Sequence, residues 1–268
     1  MSEIKIGAVI VKNMKLGFIG TGKIASSVIT GICNSKISFS KIIVSSRNKS
    51  TAQRLKKKFK KILIYKNNQE IVNKCNWIFL SITPTIGNKI IKELKFRSNQ
   101  TIISFISTIT LAKLKKDIKV KAKIVRAIPL PPISLKKGPV PICPPNKKVK
   151  DFFNKIGTTI EIKNEKSSIN FWSTSGMMAP YYELLRVMTE WLVKKGVKRK
   201  NAQKYITSLF LALSEDAFVN SKKDLKHLVE DSQTPNGLNE QGVKELSKAG
   251  FYQSLEKALN SIHRRLNK

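Results

Sequence analysis

The sequence predicts an α/β chain: a doubly wound, mostly parallel sheet followed by an all-α region. Three observations carry this. A short apolar run ends in Gly20-Thr21-Gly22, and an apolar periodic stretch follows it. Strand-like and helix-like segments then alternate to about residue 161, the rhythm of a parallel sheet with helices on both faces. After about residue 164 strand signals vanish and apolar residues recur at helical spacing. The two domains are therefore expected at 14–163 and 164–268.

The elements follow in order. Residues 15–19 form the first strand and 23–33 the helix after the glycine turn. The next strand covers 42–46, and 50–59 is a solvated helix with one apolar stripe. A short strand at 62–65, a helix at 68–74 and a buried strand at 77–82 come next. Helix 89–94, strand 101–105, helix 111–116 and strand 123–127 continue the alternation. The proline-rich stretch 128–145 predicts extended, kinked connections. Residues 152–161 read as a last helix and strand. In the second half Pro180 sits in the first turn of a long helix that ends near Gly196. Tyr181, Leu184, Leu185, Met188, Trp191 and Leu192 mark its apolar positions, with Met188 and Trp191 expected in the core. Three more helices are expected at 201–219, 238–249 and 251–266. Several have apolar residues on more than one face, which predicts burial in a dimer.

Composition narrows the function classes. A chain of 268 residues can bury a substantial core. It has no apolar stretch long enough to cross a membrane. The segment 1–13 has a short apolar run, but it contains an acid and lacks a small-residue cleavage site, which argues against a signal peptide. It reads as a short extension or a misassigned start before Met14. The three cysteines are widely spaced and suggest neither a disulfide framework nor a zinc site, in keeping with a reducing cytoplasm. Two histidines leave little room for His-based catalysis or metal binding. The net charge of +34 raises the question of nucleic acid. The lysines are spread along the whole chain, however, and no basic stripe interleaved with aromatics appears. The expected consequence is solubility and salt-dependent, nonspecific attraction to polyanions.

The glycine turn has the GxGxxA form of a dinucleotide-binding βαβ unit, in the required setting of strand before and helix after. Gly20 can take the dihedrals of the tight turn. Gly22 lets a diphosphate approach the backbone, and Ala25 lets the helix pack closely on the strand. The helix start offers unpaired N–H groups and a positive dipole end. Gly20, Thr21, Gly22, Lys23 and Ile24 are thus the candidate diphosphate cradle. At the end of the second strand, NAD-specific folds usually carry an acid for the ribose 2′-hydroxyl. Here stand Ser46, Arg47 and Asn48, which suit a 2′-phosphate, so NADPH is favoured over NADH. Ile82, Thr83 and Pro84 lie at the end of the fourth strand, at the carboxyl edge where such sheets bind ligands.

The run 228–251, with Gln233-Thr-Pro-Asn-Gly-Leu-Asn239 inside it, resembles the signature of pyrroline-5-carboxylate reductases. That signature is a Ser-Pro-Gly-Gly-Thr-Thr loop, a helix and a Leu-Glu-x-Gly-Gly-Phe turn. The resemblance spans nearly the whole chain from Met14. Residues 77–84 resemble the family's strand ending in Val-Lys-Pro, and Ile124-Val-Arg-Ala-Ile-Pro129 its Val-Arg-x-Met-Pro-Asn strand. Gly176-Met-Met-Ala-Pro-Tyr-Tyr182 lies where the family has Ser-Gly-Ser-Gly-Pro-Ala-Tyr. The resemblance implies an NADPH-using reductase of a cyclic imine, with a Rossmann domain and a helical dimerisation domain. It implies reduction of 1-pyrroline-5-carboxylate to L-proline. Four departures stand out: Thr83 replaces a lysine, Leu130 replaces an asparagine, Asn236-Gly237-Leu238-Asn239 replaces Gly-Gly-Thr-Thr, and Ser173 stands at a threonine position.

Reducing a C=N bond needs an oriented nicotinamide, an anchor for the substrate carboxylate and a proton for the nitrogen. Gln233, Thr234, Gly237, Leu238 and Asn239 open a helix whose free N–H groups suit a carboxylate. A plain helix cap would use the same residue types. Ser173 or Tyr182 could donate a hydrogen bond to the reacting nitrogen; a ring buried at a subunit contact is the competing role of Tyr182. Two other readings fit the same residues. One is the same scaffold acting on a different imine or keto acid. The other is a non-catalytic NADP-binding or polyanion-binding protein.

Overall fold

The computed structural model describes residues 14–267; the segment 1–13, read as an extension or misassigned start, lies outside them. The chain divides into two compact units, one ending at Trp172 and the other beginning at Ser173.

The first unit is built on eight strands: β1 Lys15–Ile19, β2 Lys41–Ser45, β3 Ile62–Tyr65, β4 Trp77–Leu80, β5 Thr101–Ser104, β6 Lys123–Ala127, β7 Pro139–Cys143 and β8 Thr158–Glu161. They form one sheet in the order β3-β2-β1-β4-β5-β6-β7-β8. Every neighbouring pair is parallel except β6 and β7. Helices α1 Lys23–Cys33, α2 Lys49–Lys58, α3 Asn68–Lys74, α4 Pro84–Glu93, α5 Leu111–Ile118 and α6 Lys147–Phe153 connect them. The strand order reverses between β1 and β4, the topological switch point beside which such sheets bind nucleotides.

Alternation along the strands explains why both faces are covered. Leu16, Phe18, Ile42, Val44, Phe79, Ile103 and Val125 enter one apolar cluster. Their neighbours Ile19, Ile43, Ile78, Leu80, Ile102 and Ile124 enter a second one. Successive strand residues point to opposite faces, so two separate cores are the signature of a doubly wound sheet. Side-chain oxygens start several helices: Asn48 accepts from Thr51 N–H, Thr110 from Lys113 N–H and Asn146 from Val149 N–H.

The proline-rich stretch departs from the expected irregular connection, because β7 lies within it. The ladder shows how prolines fit there. The carbonyls of Gly138 and Ile142 accept from β8 and the residue after it, through Thr158 and Ile162 N–H. Pro139 and Pro141 therefore face β6, where Pro141 only accepts a bond, from Ile128 N–H. The missing proline donors fall on the side of the two-residue contact with β6.

The second unit is helical. Helix α7 Ser168–Ser175 crosses the boundary; α8 Met178–Lys194, α9 Arg199–Val219, α10 Leu225–Asp231, α11 Leu238–Lys248 and α12 Phe251–Leu266 follow. Helix α10 is too short to show in the periodicity, and Asp224 caps it through Lys226 N–H. Among the described residues from Ser173 onward, the buried hydrophobic ones are Ala202 and Ile206. Trp191, expected in the core, is 59 % exposed on this single chain. Leu211 and Leu213 are both exposed, yet they point about 200° apart around α9. A unit of this size with so little apolar burial cannot stabilise itself, and apolar surface on opposite faces of one helix calls for a partner that surrounds it.

Candidate functional site

The glycine turn is fixed by bonds from two strands that are distant in sequence. Gly20 takes a φ of +100°, and a Cβ there would stand 2.5 Å from the carbonyl oxygen of Ser81. No L side chain fits. Gly20 N–H donates to Ser45 Oγ at 2.9 Å, and the Thr21 hydroxyl donates to Ser45 O at 3.1 Å. The Ser81 hydroxyl donates to the Gly20 and Ile19 carbonyls, at 2.8 and 3.2 Å. The ends of β1, β2 and β4 are thereby tied into one rigid edge. Ser81 lies at the carboxyl edge where ligand-binding residues are expected, whereas Ser45 was not expected as a candidate; only its place at a strand end hinted at the role.

Gly22 is the N-cap of α1, has no side chain to cap it, and sits in extended backbone at φ −72°. A Cβ there would meet nothing within 4 Å. The first intrahelical bond recorded from this end is Ser26 N–H to Gly22 O. The N–H groups of Lys23, Ile24 and Ala25 precede it and are the orphan donors of the helix start. Open space in front of a positive helix end is what a diphosphate requires. Ala25 is fully buried and lets α1 lie close to the sheet.

The predicted 2′-phosphate residues lie at the end of β2 with different duties. Arg47 is exposed. Asn48 caps α2, its Oδ1 accepting from Thr51 N–H at 3.2 Å and from the Ser50 hydroxyl at 3.1 Å. Ser46 N–H bonds Tyr65 O at 3.1 Å, continuing the β2–β3 ladder. A second guanidinium, missed in the sequence, reaches this edge: Arg54 on α2 donates from Nη2 to Ser26 Oγ on the first turn of α1, at 3.4 Å. Ile82 is buried, and Thr83 and Pro84 are exposed at the start of α4, where Thr83 O accepts from Gly87 N–H at 2.8 Å.

In the helical unit, Ser173 is buried on α7 and Tyr182 is 53 % exposed on α8, its ring 5.8 Å from that of Tyr181. The loop 233–239 joins α10 to α11. Gly237 is needed there, since a Cβ would stand 2.2 Å from Thr234 Oγ1. Asn236 takes a φ of +59°, and its N–H donates to Glu240 Oε2 at 2.7 Å. Two of the loop's amide side chains are engaged by backbone: Gln233 donates to Val229 O at 2.7 Å, Asn239 to Ser232 O at 2.8 Å. They shape the loop. Turned outward are the exposed Thr234, Asn236 and Leu238 and the N–H groups at the start of α11, whose Gly237 cap lacks a side chain.

Comparison with known proteins agrees with both halves. Residues 15–108 match the family model described as NADP oxidoreductase coenzyme F420-dependent, and 170–268 match that of pyrroline-5-carboxylate reductase dimerisation. The chain is 25 % identical to a pyrroline-5-carboxylate reductase of Synechocystis, over 94 % of this chain and 97 % of that one. With the Pseudomonas aeruginosa enzyme of that name identity is 24 %, over 94 % and 95 %. The fold superposes on the Plasmodium falciparum pyrroline carboxylate reductase solved with NADP bound, at a TM-score of 0.80 and 23 % identity, covering 95 % of this chain and 97 % of that one. The dimerisation model over 170–268 and relatives matched along almost their full length thus make this chain similar to the pyrroline-5-carboxylate reductases from end to end of its described residues.

Proposed function

We propose that this protein is an NADPH-dependent reductase that converts 1-pyrroline-5-carboxylate to L-proline, acting in the cytoplasm as a homodimer or higher homo-oligomer. The observation that carries the reading is the open space at Gly22 before the uncapped start of α1. The nucleotide-binding half is taken as 14–163 and the helical substrate and dimerisation half as 164–268. In this reading Gly20, Thr21, Gly22, Lys23 and Ile24 receive the diphosphate. Ser46, Arg47 and Asn48 receive the 2′-phosphate, and Ile82, Thr83 and Pro84 border the rest of the dinucleotide. NADPH, when bound, supplies the hydride that reduces the carbon of the C=N bond.

The chain's own residues hold the substrate and deliver hydrogen bonds. The first N–H groups of α11, that of Leu238 among them, donate to the carboxylate, with Thr234 adding a hydroxyl and Gln233, Gly237 and Asn239 holding the loop in shape. Ser173 or Tyr182 donates a hydrogen bond to the imine nitrogen. Neither is a strong acid, so a substrate that arrives already protonated, as the iminium, is oriented through its own N–H, which donates to one of these hydroxyl oxygens. The bare apolar faces of α9 support assembly with a second copy.

The test is NADPH oxidation followed by absorbance at the reduced-nicotinamide band with 1-pyrroline-5-carboxylate, beside a panel of other imines and keto acids. Turnover with the pyrroline ring and formation of proline are expected. NADPH binding without turnover of it overturns the substrate reading. The altered residues Thr83, Leu130 and Leu238, together with Met177 and Met178, favour including other imines and keto acids in that panel.

A further inference from the structure

The carboxyl edge of β5 and β6 carries a charged device that the reading above leaves unused. Arg126, next to last in β6, is 3 % exposed. Its guanidinium makes three directed contacts. Nη1 donates to Glu165 Oε1, Nη2 donates to the Ser107 carbonyl oxygen, and the guanidinium carbon lies 4.3 Å from the centre of the Trp172 ring. Glu165 Oε1 also accepts from Leu111 N–H, the first residue of α5, at 2.7 Å. The loop between β5 and α5, residues 105–110, is thus held at its middle, at Ser107, by the arginine directly, and at its far end, at Leu111, through the glutamate. Arg126 Nε and Trp172 Nε1 are buried without a partner. Unpaired buried donors are costly, and an ion pair with a buried arginine and a half-buried glutamate gains back little of the arginine's desolvation. Burial indeed pulls the Arg126 guanidinium below its ordinary value, with Glu165 opposing. An arrangement this expensive calls for a role other than holding the fold.

Its position supplies that role. A dinucleotide lies across the switch point, one half over β1–β3 and the other over β4 and the strands beyond it. The adenosine half belongs with β2, where Arg47 stands, so the nicotinamide half lies toward β4, β5 and β6. We infer that Arg126 and Glu165 are positioning residues that fix the 105–110 loop, and through it the reduced ring, for hydride transfer. This rests on the NADPH reading above. The pair touches neither cofactor nor substrate and acts through the loop.

The experiment uses the full chain and the variants Glu165→Ala, Glu165→Gln and Arg126→Lys, each checked for folding by circular dichroism. Three quantities are read: amide exchange over 105–112, NADPH affinity, and fluorescence of the bound reduced nicotinamide, which reports how firmly the ring is held. In Glu165→Ala, exchange over 105–112 rises tenfold or more while that over 20–26 is unchanged. NADPH affinity stays within threefold, the enhancement of nicotinamide fluorescence is lost, and kcat with the pyrroline substrate falls at least tenfold. Glu165→Gln keeps an acceptor for Leu111 and recovers part of each effect. If Glu165→Ala does not fold, Glu165→Gln and Arg126→Lys decide the matter by the same readouts in reduced measure. Unchanged loop exchange, or a freed loop with fluorescence and kcat intact, overturns the inference. A wild-type protein that binds NADPH but reduces no pyrroline defeats the substrate reading alone, since exchange and fluorescence still judge the clamp.

Discussion

Replacing Gly22 by alanine separates binding from folding. The residue sits at φ −72° and ψ −172°, which alanine adopts without strain, and the added methyl meets nothing within 4 Å. Removing glycine from the unfolded chain favours folding by about 0.4–1 kcal/mol. Alanine is a poorer N-cap than glycine by a similar amount, roughly 0.5–1 kcal/mol. The two nearly cancel, and Tm should move by less than about 2 °C. The methyl nonetheless fills the space through which a diphosphate reaches the N–H groups of Lys23 and Ile24. Losing one hydrogen bond to a charged oxygen weakens binding by about 1.5–3 kcal/mol, or roughly 10- to 150-fold in Kd. Calorimetric titration with NADPH beside a thermal melt reads both numbers. Gly20→Ala is the contrast, because its methyl collides with Ser81 O at 2.5 Å and its φ is +100°. Strain and overpacking there amount to about 2–6 kcal/mol, so stability and binding fall together. Gly22→Ala that binds NADPH within threefold of wild type refutes the placement of the diphosphate.

The remaining predictions are shorter. Arg47→Asp should lower the preference for NADPH over NADH at least tenfold, measured as the ratio of the two affinities; an unchanged ratio removes Arg47 from 2′-phosphate recognition. Leu213→Glu, at a site 55 % exposed on the single chain, should turn the oligomer into monomer by sedimentation, and an unaltered sedimentation coefficient argues against α9 as the interface. Burial pushes the Cys75 thiol from 9.0 up to about 12, against the pull of Lys15 and Arg97. A raised folded value means that its contribution to stability is full below about pH 9 and is lost as pH rises toward 12. At pH 8 the thiol is neutral, and alkylation of Cys75 should wait for unfolding; rapid labelling of native protein contradicts that burial.

Much of the architecture could be read in advance because its signals are local. The glycine turn, the alternation of the strands and the helical spacing of 181–192 each arise within a dozen residues. β7 was hidden because prolines at alternate positions look like a broken chain, and only the neighbouring strands reveal that their missing donors face the side of the short contact with β6. The site divides the same way. Gly20, Gly22 and Ala25 follow from turn geometry, whereas Ser45, Ser81 and Arg54 matter through partners 24 to 62 residues away. Asn48, Gln233 and Asn239 carry the right chemistry for ligands, yet their side chains are engaged by the protein itself.

The order of residues alone dictated the glycine turn and the two-part organisation, since backbone stereochemistry and hydrophobic periodicity act between near neighbours. Packing in three dimensions settled which serines brace that turn, that Arg126 grips the 105–110 loop, and that Trp191 stays outside the core. Those outcomes depend on groups far apart in the chain meeting within hydrogen-bond reach, which no spacing in the primary structure encodes.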